Sequence, residues 1–328
     1  MRIEQEQIGK RLDLFLVEFL QEAGYATFSR SYLTKNWEGL VKVNGQDLKP
    51  SYKLRVGDEV DVDMEKVNHL KESMQNSSEL IGQQAPNLDI LFEDENFLIL
   101  EKPHGLVVHP GIGNREGTLA NYVRGYLEEK GEFDKGLYRG GLVHRLDKGV
   151  AGLMVFAKNL HSQKHLQEQF ENREVKKIYL ADIEYVNLRR GIKKIFKDID
   201  VDGGIDKEIT ALEKNNFSFG SDWFKASGYI KRSQTNRVKM TFRKYLGRNG
   251  KKAVSYIKAL NKEQLLIVIE TGRMHQIRAT LEYYGIGIKG DTLYGLSKSD
   301  RMPDKIYLKS IYLSFKEQGG DDFTIIKY

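Results

Sequence analysis

Apolar residues change their period several times along this chain, and each change marks an element. Leu12, Phe15, Leu16, Phe19 and Leu20 recur at i, i+3, i+4, i+7 and i+8, one face of an amphipathic helix. Ser29, as an N-cap, opens a second helix carrying Arg30, Tyr32, Leu33 and Lys35. Residues 40–43 alternate into Asn44-Gly45, a two-residue hairpin signal, and residues 52–63 end in a strand with one apolar face. From Glu65 to Pro86 the pattern lapses into Lys, Glu, Asn, Ser and Gln, which predicts a linker, flexible or weakly helical. Residues 1–63 are thus expected to be a small module, 64–87 a linker and 88–328 a second domain.

The second domain opens with apolar runs at 88–92 and 97–100 around an acidic, Asn-bearing turn, a hairpin. Thr118 caps a helix whose core residues are Leu119, Tyr122, Val123 and Tyr126. Residues 152–157 are an unbroken apolar run between Gly and Lys, the composition of a strand covered on both faces. A helix over 161–173, an alternating strand over 175–184 and a strand over 264–270 leading into another helix follow. Alternating runs at 306–308 and 311–315 are expected to finish the sheet. The fold expected is α+β, a mixed, largely antiparallel sheet flanked by helices, plus the small N-terminal helical and hairpin module.

A length of 328 residues suits two domains, and 40% hydrophobic residues suffice for real cores. The longest apolar runs, such as 265–269, are far too short to span a bilayer, and no charged, apolar leader opens the chain. We therefore expect a soluble, cytoplasmic protein. With no cysteine, disulfides, thiolate zinc sites and cysteine nucleophiles are excluded. A net charge of +6 permits a polyanionic partner. Basic clusters at Arg189-Arg190, Lys193-Lys194, Arg243-Lys244 and 248–252, interleaved with aromatics, suit phosphate contact and base stacking. Any single lysine among them reads equally well as part of a solvated loop.

Candidate chemistry gathers in two places. His144, Arg145, Leu146 and Asp147 occupy a glycine-rich turn at the mouth of the apolar strand, where backbone can approach a ligand closely. Arg273, His275, Gln276 and Arg278 crowd a strand-to-helix turn that favours either a phosphate or a buried carboxylate. The glycine loop at 111–117 is no dinucleotide fingerprint, since its third glycine falls one place late and it follows a proline. His161 and His165 have the i, i+4 spacing of helical zinc ligands but lack the glutamate and a third ligand, so they read as exposed helix histidines. No second acid with motif support pairs with Asp147 for glycoside hydrolysis. An aspartate paired with an arginine keeps its charge and serves as a nucleophile or a base.

His144-Arg145-Leu146-Asp147 with Gly152-Leu153 and Phe156-Ala157-Lys158 resembles the "HRLDxxTSGLLxFAK" signature of the pseudouridine synthases that modify large-subunit ribosomal RNA and some transfer RNA. Glu101-Lys102-Pro103 through Gly111 and Gly117-Thr118 resembles "NKPxGLxVHPG…GT", and Val175 to Tyr179 resembles "VxKxY". Thr271 to Arg278 resembles "TGRxHQIR", and Gly290 to Gly295 resembles "GDxxYG". The five blocks stand in the family's order and cover most of residues 88–315. Gly39 to Gly45 after a basic helix is similar to the alpha-L RNA-binding motif, with a generic pair of helices and a hairpin as the alternative.

The resemblance implies isomerisation of uridine to pseudouridine in RNA after base flipping. Asp147 would be the catalytic carboxylate, attacking the ribose C1′ or removing a sugar proton. Tyr179 would pack on the base and assist proton removal, and Arg278 would pair with Asp147. Arg145, His144, Arg273, His275 and Gln276 would bind substrate, and Arg30 and Lys35 would bind RNA in the N-terminal module. Expected partners are structured RNA, ribosomal first and transfer second, with no cofactor, no metal, no membrane and the chain acting as a monomer. Val150-Ala151 replaces the family's Thr-Ser, and Gly149 a commonly acidic position. Those departures leave open a catalytically weak relative that binds RNA or assists ribosome assembly. A hydrolase acting on a nucleoside bond through one aspartate is the remaining rival.

Overall fold

Leu12, Leu16 and Leu20 expose no surface, so the apolar stripe that opens the chain is the inner face of a real helix. The computed structural model describes residues 1–25, 28, 30–77, 80–85, 87–111, 113–185, 188–189, 192–196, 204–245, 249–295, 304–317 and 323–327. They form two units, Met1–Glu79 and Leu80–Tyr328. In the first, α1 (Leu12–Glu22) and α2 (Arg30–Lys35) precede strands β1 (Val41–Val43), β2 (Gln46–Asp47) and β3 (Val60–Val62), then α3 (Met64–Ser77). The strands are antiparallel in the order β2-β1-β3. Asn44 at φ 52° and Gly45 at φ 76° make the tight turn between β1 and β2 that an Asn-Gly pair predicts. Ser29, expected as a cap, lies outside the described residues.

The expected linker needs correction. Residues 64–77 are helix α3, opened by the Asp63 carboxylate accepting from the Lys66 backbone N–H at 2.8 Å. Val67 is fully buried in the core formed by α1, α2, β1 and β3, with Met64 and Leu70 packed against it. Its apolar stripe is one residue wide per turn, so the composition of the segment reads as polar.

The second unit contains β4 (Asp89–Glu93), β5 (Phe97–Lys102), α4 (Leu119–Glu129), β6 (Ala151–Ala157), α5 (Leu160–Asn172) and β7 (Lys176–Tyr185). It continues with α6 (Ile205–Lys214), β8 (Phe224–Arg232), β9 (Met240–Arg243), β10 (Lys251–Ala259), β11 (Gln264–Ile269), α7 (Gln276–Tyr283), β12 (Ile286–Ile288), β13 (Leu308–Lys316) and β14 (Phe323–Lys327). One mixed sheet runs β4-β5-β6-β13-β7-β11-β10-β8-β9, with β12 on β7 and β14 on β13. Every residue of β6 is buried. Met154 and Phe156 pack with Leu119 and Val123 of α4, while Leu153 and Val155 pack with Leu166 of α5, so alternation buries both faces. On β11, Ile267 shares a core with Ile277 of α7, and Leu266 and Val268 share one with Ile209 of α6.

The last long strand does not finish the sheet; it divides it. β13 is inserted between β6 and β7, parallel to the first and antiparallel to the second. Period alone reveals that a strand exists but not where it pairs. Contact with β6 is close at Gly152, where φ is +113° and an added Cβ would stand 2.2 Å from the Ser310 carbonyl oxygen. Gly152→Ala is therefore expected to cost about 3 kcal/mol or more, because backbone on both sides has to move. An unchanged urea midpoint for this variant would contradict the reading.

Candidate active site

The turn that carries Asp147 is held by its backbone. The Lys148 carbonyl accepts from the Gly105 N–H at 2.9 Å and from the Lys102 Nζ at 3.1 Å. The Gly149 carbonyl accepts from the Ile306 N–H at 2.9 Å and from the His104 Nδ1 at 2.7 Å. Val150 and Ala151 are buried. Lys102 has no exposed surface and also donates to the carbonyls of Pro103 and Leu106, at 2.7 and 2.8 Å. Burial pulls its pKa down to about 7, against the charge of Asp147, which pulls it up.

Opposite this turn, α7 presents Arg278. Its Nη1 donates to Asp147 Oδ2 at 2.8 Å, while its Nε and Nη2 donate to the two carboxylate oxygens of Asp291, at 2.7 and 2.9 Å. Asp291 has a fully buried side chain, and its Oδ1 also accepts the N–H groups of Leu293 and Tyr294, both at 3.0 Å. Burial alone would lower the Arg278 pKa; the bonds and charge of Asp291, then those of Asp147, raise it instead. The Asp147–Arg278 pairing that the resemblance implies is thus present, joined to a second carboxylate from the Gly290–Gly295 block.

His275 precedes α7 in the left-handed conformation, φ 53°. Its Nδ1 lies 2.9 Å from the Tyr294 hydroxyl, which accepts the Met240 N–H at 2.6 Å, and its Nε2 lies 3.8 Å from Asp147 Oδ2. Burial lowers the His275 pKa, with Asp147 pulling the other way. Tyr179 on β7 is buried and hydrogen-bonded to the Ser310 side chain; burial first and the Asp147 charge second raise its pKa, keeping the phenol neutral. Arg145 is exposed at the rim, and Arg273 is anchored by its Nε on the Lys252 carbonyl at 3.0 Å.

Two residues expected to bind substrate do something else. Gln276 is buried, with its Oε1 accepting from Thr271 Oγ1 at 2.7 Å and the Arg273 N–H at 3.1 Å. Its Nε2 donates to the Val254 carbonyl and Ser255 Oγ, both at 3.0 Å, which uses its whole bonding capacity to brace the turn. His144 accepts the Val155 N–H at 3.1 Å and stacks on Phe170 with centroids 4.9 Å apart, pinning the Asp147 turn to β6. Burial, then the charge of Lys177, lowers its pKa to about 3. In the first unit, Arg30 is tied to the buried Asp13 at 2.9 Å, a carboxylate it shares with Arg11, while Lys35 is exposed.

Besides Asp291, the reading of motifs missed Lys102 and Lys177 as parts of this site. Lys177 precedes Tyr179 by two residues on β7, which puts both on one face, and burial lowers its pKa to about 8. Among the described residues no cluster of three or more His, Cys, Asp or Glu could hold a metal, and no helix is long and apolar enough to cross a membrane.

Asp147, the neutral Tyr179 and Arg278, clamped between two carboxylates, thus form one polar cluster against the mixed sheet. In comparison with known proteins, the RNA pseudouridylate synthase family matches residues 96–283. A protein of Aquifex aeolicus described as an uncharacterized RNA pseudouridine synthase is 34% identical over 93% of this chain and 82% of its own length. Ribosomal large subunit pseudouridine synthase D of Neisseria meningitidis is 33% identical over 90% of this chain and 66% of its own. The solved human RNA pseudouridylate synthase domain containing 1 shares the fold, with a TM-score of 0.51 at 20% identity over 74% of this chain and 83% of that one. The chain belongs to the RNA pseudouridylate synthase family.

The histidine anchor makes a prediction about acid sensitivity. Native His144 binds its proton only near pH 3, whereas the unfolded chain binds it at 6.5, so this group withdraws stability as pH falls through that window. His144→Ala leaves the Val155 N–H without its acceptor and is expected to cost about 1–3 kcal/mol at neutral pH. The gap between wild type and variant should narrow as pH falls toward ~4, by up to about 1.4 kcal/mol per pH unit. Urea unfolding at both pH values checks this, and a constant gap refutes it.

Proposed function

We propose that this enzyme isomerises uridines of large-subunit ribosomal RNA and that Asp147 carries the chemistry. The observation that carries the reading is the Asp147–Arg278–Asp291 chain. It orients one carboxylate oxygen of Asp147 and leaves Oδ1 without a hydrogen bond among the described residues. That oxygen is free to attack C1′ or to take a sugar proton once the uridine has flipped out of its stem. On attack, an Oδ1–C1′ bond forms as the N1–C1′ bond breaks with its electron pair on N1, the uracil turns, and C5 bonds C1′ as the Oδ1–C1′ bond breaks; on the other route loss of the sugar proton expels N1 and Asp147 returns that proton as C5 bonds C1′. In either case N1 takes up a proton and C5 gives up its own.

Tyr179, held neutral, packs on the uracil and passes that proton on as a relay instead of acting as a phenolate. Arg145 contacts the displaced nucleotide from the rim, Arg273 takes a phosphate, and His275 lies within reach of the same carboxylate. The first unit, with Lys35 exposed on α2 and Arg30 beside it, binds structured RNA. Asp147, Tyr179 and Arg278 come from a single chain, so one copy suffices and the protein acts as a monomer in the cytoplasm. The name of the Neisseria meningitidis relative favours a ribosomal over a transfer RNA substrate. The turn bonds made by Lys102, His104 and Ile306 favour an active enzyme over an inactive binding relative, because they do not depend on the hydroxyls that Val150 and Ala151 replace.

Asp147→Ala should abolish tritium release from a 5-tritiated, unmodified large-subunit ribosomal RNA transcript while leaving the fold intact, because Arg278 keeps Asp291. Release at the wild-type rate would exclude Asp147. By contrast Asp291→Ala strands a buried guanidinium, and a loss of about 3–5 kcal/mol is expected in urea unfolding. RNA affinity should fall steeply with salt, as counterion release requires, and a flat dependence would count against phosphate contacts.

A further inference from the structure

An open cleft of about 320 Å³ lies outside the Asp147 network, on the edge of the sheet where β8, β9 and β10 meet the end of α7. Lys231, Arg243 and Lys244 line it together with Tyr229, Tyr245 and Tyr283. Tyr245 is 79% exposed, a large ring with no packing partner among the described residues. Among the described residues none of the three cations has a carboxylate partner. The contrast with their surroundings is sharp, since Lys239 nearby is paired with Glu282, and Lys258 farther along β10 with Glu208 and Asp222. Like charges gathered without counter-charge repel one another unless an anion joins them.

The sheet ties the cleft to the turn that carries Arg273. Lys252 pairs with Tyr229 across β10 and β8, and the Lys252 carbonyl holds the Arg273 side chain. From the other side, β9 starts at Met240, whose N–H is bonded to the Tyr294 hydroxyl beside His275, and reaches Arg243 within about 10 Å. That span is a few nucleotide rises of ~3.4 Å along a strand. We propose that this cleft is a nucleotide subsite which takes an unpaired stretch of the substrate RNA next to the flipped uridine. A base stacks on Tyr245 and its neighbouring phosphates lie against Lys231, Arg243 and Lys244. The assignment rests on the reading of the enzyme as acting on RNA through Asp147.

Binding is therefore measured in the Asp147→Ala background, so that cleft and chemistry can fail separately. The probes are a fluorescein-labelled oligouridylate and the unmodified large-subunit transcript. Tyr245→Ala should weaken oligouridylate binding at least about five-fold, the lower end of base stacking, while Tyr245→Phe should retain it. Lys244→Glu should weaken it and lower the salt slope by about one. Lys262→Glu, a matched reversal beyond the far end of β10, should not. With Asp147 restored, Tyr245→Ala should lower kcat/KM on the transcript through a rise in KM. Unchanged affinity in both Tyr245→Ala and Lys244→Glu overturns the proposal, as does an equal loss in Lys262→Glu, which would reduce the effect to net charge.

Discussion

A buried guanidinium between two carboxylates is the constraint on which the site depends. Arg278 brings a positive charge into a region with little water, where it persists only because Asp291 engages it through two bonds. That leaves the third edge of the guanidinium to Asp147. The two acids therefore differ in kind. Asp291 is fully buried and bonded on both oxygens, which makes it part of the scaffold, whereas Asp147 is partly exposed and bonded on one, which makes it available. Asp147 is thus supported from behind, through Arg278, by a residue with no exposed side-chain surface.

The turn around Asp147 follows the same logic of indirect support. Hydroxyls at positions 150 and 151 would be one way to brace it, yet this chain places two apolar side chains there and buries both. Rigidity comes from carbonyls: Lys148 and Gly149 each accept two hydrogen bonds, from partners more than forty residues away in sequence. Backbone bonding of that kind tolerates changes of side chain, and the departure from the family's usual residues costs the turn little.

Much of this was legible in the sequence, though unevenly. The unbroken apolar run of β6, the 3.6-residue period of α1 and the Asn44-Gly45 turn signalled their elements because local sterics and burial decide them. Strand order is a different kind of information. Nothing in the alternation of β13 says that its neighbours are β6 and β7, in the middle of the sheet. Within the site, Asp147 and Arg278 stand out by chemistry, but His144 and Gln276 look like ligands only because they share motifs with them. Their bonds run to Val155 and to Val254, distant backbone groups that no local pattern discloses. Asp291 was hidden for the opposite reason, since an aspartate after glycine reads as a turn former.

The place of β13 affects how the enzyme comes into being. β6, which follows Asp147, and β7, which carries Tyr179, are not neighbours in the sheet; residues 308–316 lie between them. During synthesis both strands leave the ribosome well before the one that joins them, and neither can reach its final spacing until that strand arrives. The distance between Asp147 and Tyr179 is thus set by a strand that follows both of them by more than a hundred residues.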